Sequence, residues 1–158
     1  MTSAMNRKIK IEIVNRQKRL AVHPRRIRTV LRKMLADAGI EAGYLEIVIM
    51  TDAAIHRLNV EYLGHDYATD VLSFEMEADP QRHYLEGNIL VSSDTAVKRC
   101  KEFGQEPDWE LLLYIIHGTL HLLGYDDHSE AEAPLMRKKE EEYMTFARHP
   151  RAPAAGNR

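Results

Sequence analysis

The chain has 158 residues, 44% apolar and 29% charged, which suits one soluble-type domain with a core of its own. Its single cysteine, Cys100, excludes an internal disulfide and a cysteine-rich zinc site. A formal net charge of -2 means that any surface for a polyanion must be local rather than global. Ile9, Ile11 and Ile13 alternate with Lys10 and Glu12, the pattern of a strand with one buried face. Val22-His23-Pro24 then opens a helix carrying Ile27, Val30, Leu31, Met34 and Leu35, and Gly39 ends it. Tyr44–Met50 is a strand, followed by a helix with Ile55, Leu58 and Val60 that Thr51 or Asp52 caps. Gly64-His65-Asp66-Tyr67 is a loop, Val71-Leu72-Ser73-Phe74 a short strand, and Glu77–His83 a polar loop. Asn88–Ser92 is a buried strand, and Asp94 is positioned to cap a helix running to Phe103, which Gly104 stops. Pro107-Asp108 starts the most apolar helix, Trp109–Leu123, with Gly124 at its end. A charged helix, Glu130–Phe146, completes a domain over residues 1–148, and the Pro, Ala, Gly and Arg of 149–158 form a disordered tail. Strands interleaved with helices predict a single compact α+β domain with a mixed sheet packed by helices.

Three of the eight histidines fall within twelve residues, in Ile116-His117-Gly118-Thr119-Leu120-His121-Leu122-Leu123-Gly124-Tyr125-Asp126-Asp127-His128. Helical positions four apart are separated by roughly 40° around the axis, so His117 and His121 project from one face of the central helix and can share one metal ion. Gly124 permits a sharp turn, after which Asp126, Asp127 or His128 can supply a third ligand. Three protein ligands leave a position for water, the arrangement of a catalytic zinc site, and a bound divalent ion lowers the pKa of that water towards about 7. A zincin protease needs Glu directly after the first histidine as its general base; Gly118 stands there and removes that reading.

The string from His117 to Asp126 closely resembles the signature of the YbeY family of bacterial metal-dependent endoribonucleases, His-Gly-x-Leu-His-Leu-x-Gly-Tyr-Asp-His. Leu58-Asn59, Tyr62, Gly64 and Asp66, then Thr69-Asp70-Val71-Leu72-Ser73-Phe74, resemble a second family segment, and Gly87-Asn88-Ile89 a looser third. The resemblance implies one zinc ion held by three side chains, with cleavage of single-stranded RNA. It also implies a role in maturing ribosomal RNA, notably the 3′ end of the small-subunit RNA, and in ribosome quality control. The implied partners are ribosomal RNA and the ribosome or its assembly factors. Two departures stand out. The family usually carries Arg before the loop glycine, where this chain has Leu63, and Asp126-Asp127-His128 replaces a simple Asp-His. In the family register the third ligand lies ten residues after the first histidine, at Asp127, and Met136 keeps the downstream spacing; imidazole is nevertheless the commoner zinc ligand. The expectation is Asp127, with His128 kept as a site residue.

Arg25, Arg28 and Arg32 lie in the most basic stretch and are candidates for RNA phosphate contacts, although a solvated helix face is the commoner use of such a stretch. Arg57 is a candidate for the positive charge missing at Leu63. Thr69, Asp70 and Ser73 either orient a ligand histidine and contact RNA, or cap and pair a strand edge. Asp108-Trp109 reads as a helix start and anchor, and Glu140-Glu141-Glu142 as a solvated face. With no apolar leader and no membrane-length apolar run, the expected place is the cytoplasm, with no membrane partner. The rival to a nuclease is a ribosome-assembly factor whose metal is mainly structural and whose nuclease activity is weak.

Overall fold

The computed structural model describes residues 8–63 and 70–150. Its strands are β1 (Ile9–Asn15), β2 (Ala42–Met50), β3 (Val71–Asp79) and β4 (Tyr84–Ser92), and they form one sheet in the order β1-β2-β4-β3. β1 and β2 are parallel, as are β2 and β4, while β3 runs antiparallel to β4 on the outer edge. Among the described residues there are five α-helices: α1 (Pro24–Asp37), α2 (Asp52–Leu58), α3 (Ser93–Arg99), α4 (Pro107–Leu122) and α5 (Glu132–Arg148). The chain is thus a single α+β domain with a mixed sheet. No described helix is long and apolar enough to cross a membrane.

The alternation of each strand sorts its side chains onto two faces. Leu45, Ile47 and Ile49 of β2 join Leu85, Ile89 and Val91 of β4 on the face covered by α1, α4 and α5. Val48, Met50 and Leu90 point the other way and pack with Ile55 of α2. Helix α4 is apolar almost all round, burying Leu111, Leu112, Ile115, Ile116 and Leu120, because it is sandwiched between the sheet and neighbouring helices.

Three expectations need correction. The short strand at Val71–Phe74 continues to Asp79, so much of the expected polar loop is strand; only Pro80–Arg82 forms the turn, a single 3-10 turn. Beyond Phe74 this edge strand faces solvent and carries a register shift between Glu75 and Glu77, so its polarity imitates a loop. The cap of α3 is Ser92, whose hydroxyl accepts from the Thr95 amide; Asp94 instead receives the backbone N–H of Asp52 at 2.9 Å and pairs with Arg19. Finally, Val60 lies beyond α2 in a π-helical turn, Asn59–Leu63, and is exposed. Thr51 provides the expected cap of α2 by accepting from the Ala54 amide. The loop at Gly64–Tyr67 and residues 151–158 of the expected tail lie outside the described residues.

Candidate metal centre

Gly118 is the reason α4 can lie where it does. A Cβ on Gly118 would meet the Ser73 Oγ at 2.8 Å and methyl carbons of Ile89 and Val71 at 3.0 Å. The helix therefore rests directly on β3 and β4, and Ser73 Oγ donates to the Gly118 carbonyl at 3.0 Å. Ser73 thus fixes the turn between the two histidines rather than reaching into the site. Gly118→Ala is expected to cost about 1–3 kcal/mol through overpacking, measurable by thermal unfolding. Combining it with Ser73→Ala should cost less than the sum of the two, because the nearest obstructing atom is gone. Strict additivity would show that this contact is not the constraint.

At the other end of α4 the chain reverses in a Schellman turn. The Tyr125 amide donates to the Leu120 carbonyl and the Gly124 amide to that of His121, both at 3.0 Å. Gly124 has φ 99°, a left-handed conformation that favours glycine. Tyr125 packs against the main core and anchors the returning strand of chain. The reversal brings Asp127 back beside the two histidines.

His117 and His121 place their Nε2 atoms 3.0 Å apart, with rings nearly perpendicular at 81°. The Asp127 carboxylate lies 3.7 Å from each Nε2. These separations bracket the ~3.3 Å edge of a tetrahedron whose ligands lie about 2.0–2.1 Å from a zinc ion. His117, His121 and Asp127 could therefore hold a metal ion, and two imidazoles with one carboxylate are donors that zinc accepts. His128 is not part of this trio. Its side chain is 81% exposed and turns towards Asp126, with Nδ1 to Oδ1 at 3.3 Å.

Glu140 of α5 was hidden in its acidic run, and it is not a solvated residue. Its carboxylate meets His117 Nδ1 at 2.5 Å and its side chain is only 17% exposed. A carboxylate only accepts, so Nδ1 carries the proton and the neutral ring offers its Nε2 lone pair towards His121 and Asp127. Burial alone would lower the His117 pKa; the Glu140 carboxylate, helped by Asp127 and Asp70, outweighs it and raises the value. One sequence signal could have found Glu140. Met136, Tyr143, Met144 and Ala147 are the buried positions of α5, and Glu140 continues their helical stripe.

The centre sits in a cleft of about 740 Å³ whose lining also includes Asp70, Arg99, Glu110, Tyr114, Arg137 and Arg148. Asp70 is thus brought to the site and pairs with Arg99 at 3.5 Å. Thr69 lies outside the described residues, and so does the side chain of Leu63. The remaining arginine candidates are elsewhere. Arg28 Nε and an Arg32 guanidinium nitrogen donate to the carbonyls of Ile11 and Ile9, covering the open edge of β1. Arg25 borders a separate groove with Arg26 and Pro150, and Arg57 is exposed on α2, which covers the opposite face of the sheet. Asp108 and Trp109 act as the expected anchor: Asp108 accepts from Arg26 at 2.8 Å, while Arg26 and Arg148 stack on Trp109 at 4.0 and 4.8 Å from its ring centre.

Comparison with known proteins gives a consistent result. The profile of the family described as Endoribonuclease YbeY matches residues 12–148. A Salinibacter ruber protein named Endoribonuclease YbeY is 37% identical over 124 residues, covering 75% of this chain and 79% of the relative. A Geobacter sulfurreducens protein of the same name is 38% identical over 145 residues, covering 88% and 95%. The solution structure of a Thermotoga maritima protein superposes with a TM-score of 0.62 at 23% identity, covering 94% of this chain and 99% of the other. That last likeness concerns the fold.

Proposed function

Because this chain belongs to the YbeY family, we propose that it is a zinc-dependent endoribonuclease that cuts single-stranded RNA, with His117, His121 and Asp127 as the metal ligands. The observation that carries the reading is the convergence of three donor groups, two of which, His117 and Asp127, line an open cleft. A divalent ion bound there supplies a Lewis acid for a phosphoryl oxygen and acidifies water. The chain's own residues do the rest. Glu140 holds the His117 tautomer, Ser73 and Gly118 set the height of α4, and the turn at Gly124 delivers Asp127. The names of the relatives support endoribonuclease activity, and the motif resemblance extends the reading to ribosomal RNA processing, with maturation of the small-subunit 3′ end as its finest form. The motif resemblance likewise favours the ribosome or its assembly factors as partners, and the cytoplasm is the compartment that goes with them.

Single-turnover cleavage of a single-stranded RNA, with and without chelator, tests the activity. Chelator-sensitive cutting is expected. A loaded protein that leaves RNA intact would favour the assembly-factor alternative, which the Leu63 departure keeps in view. Glu140→Gln is expected to lower metal affinity or cleavage about 10–100-fold, since a carboxylate supporting a ligand histidine typically contributes that much. Unchanged metal affinity and rate in that variant would remove Glu140 from the centre.

A further inference from the structure

The cleft is not uniform in charge. Asp70, Glu110, Asp127 and Glu140 line it, and such a set would by itself repel a polyanion. Three of these carboxylates are engaged: Asp70 with Arg99, Glu110 with the Gln105 amide at 2.7 Å, and Glu140 with His117. Two further guanidinium groups line the same cleft, and both come from α5. Arg137 and Arg148 are exposed, and neither has an ion-pair partner among the described residues. Arg137 stands one helical turn before Glu140, beside the group that holds His117. Arg148 is held on the cleft wall by a bond to Gln105 Oε1 at 3.1 Å and by stacking on Trp109. A stacked guanidinium keeps N–H groups for a phosphate and has less freedom to lose on binding one. The two stand eleven positions apart, about 16 Å along the helix, so they cannot share a phosphate.

We infer that Arg137 and Arg148 form a two-point phosphate track along α5. Arg137 engages a phosphate beside the one at the metal centre, and Arg148 one further along the same strand. The inference rests on the endoribonuclease reading and adds to it the wall along which the RNA lies.

The test is the salt dependence of binding of a labelled single-stranded oligouridylate to the full chain, with cleavage of the same RNA followed in parallel. Arg137→Gln and Arg148→Gln should each flatten the log–log salt slope by about 0.7, the double variant by about twice that, and binding should weaken. Arg148→Lys should restore the slope. If Arg148→Lys instead behaves like Arg148→Gln, that residue acts through its packing and its half of the track falls. A wild-type chain that binds and cuts RNA, with an unchanged slope in the double variant, would overturn the track and leave the endoribonuclease reading standing. A slope flattened only by Gln at Arg25, Arg28 and Arg32 would move the contact to α1 and also overturn it. No binding and no cleavage by the wild type would overturn both readings.

Discussion

Replacing either His117 or His121 by alanine is expected to empty the metal site and reduce RNA cleavage to the level seen with chelator. The wild-type chain should carry about one zinc ion per molecule, since two imidazoles and one further ligand make a near-complete tetrahedral set. The two Nε2 atoms lie 3.0 Å apart on one face of α4, so removing either leaves one imidazole and the Asp127 carboxylate to hold the ion. The effect should appear in stability as well. An ion that binds only the folded chain stabilises it by about 4 kcal/mol when present at a thousand times its dissociation constant. Chelator should therefore lower the wild-type unfolding temperature and leave that of either variant almost unchanged. Both histidine side chains are partly exposed, at 24% and 30%, so truncation should leave little cavity cost to confuse the comparison. Full zinc content in both variants would sink the site. Acid should act in the same direction as truncation. The raised His117 pKa keeps its proton to a higher pH than an ordinary imidazole, and that proton competes with the metal.

The parts of this molecule that could be read from the chain are those where local pattern and tertiary role agree. The alternating Ile9, Ile11 and Ile13 become β1, and the helical stripe from Ile27 to Leu35 becomes the buried face of α1. The i, i+4 histidines fall on α4 as helical spacing requires. The misreadings share a cause: a distant contact decided the outcome. Asp94 has the chemistry of a cap, but the Asp52 amide, across the gap between α2 and α3, claims its carboxylate. Glu77 looks like a loop residue because β3 has a neighbour on only one side. Glu140 lies within three like charges, and what separates it from Glu141 and Glu142 is its place on the Met136–Tyr143 stripe, which the packing of α5 on α4 turns towards His117. Arg28 and Arg32, in the most basic stretch, donate to the carbonyl row of a sheet edge, a use that composition does not announce. Charge pattern shows how much charge a segment carries; it does not show which group already holds it.

The third ligand yields the second large effect expected here. Asp127→Ala should weaken metal binding by more than the ~10–100-fold that loss of a supporting residue causes, whereas His128→Ala should change it little. The Schellman turn explains why. Gly124 reverses the chain over a short span, and Tyr125 packs against the core, so the residues that follow have little slack. Asp127 then lies 3.7 Å from both Nε2 atoms. For His128 to replace it, the segment after Tyr125 would have to advance by one residue and bury a ring that is now 81% exposed. A carboxylate oxygen is a harder donor than imidazole, so the natural site should tolerate manganese better than a three-histidine site does. Asp127→His supplies the complementary test. If position 127 is the ligand position, that variant should retain zinc and bind manganese less well than the wild type. The reading fails if His128→Ala loses the metal while Asp127→Ala keeps it, because the loop would then have to rearrange to deliver the imidazole one residue later.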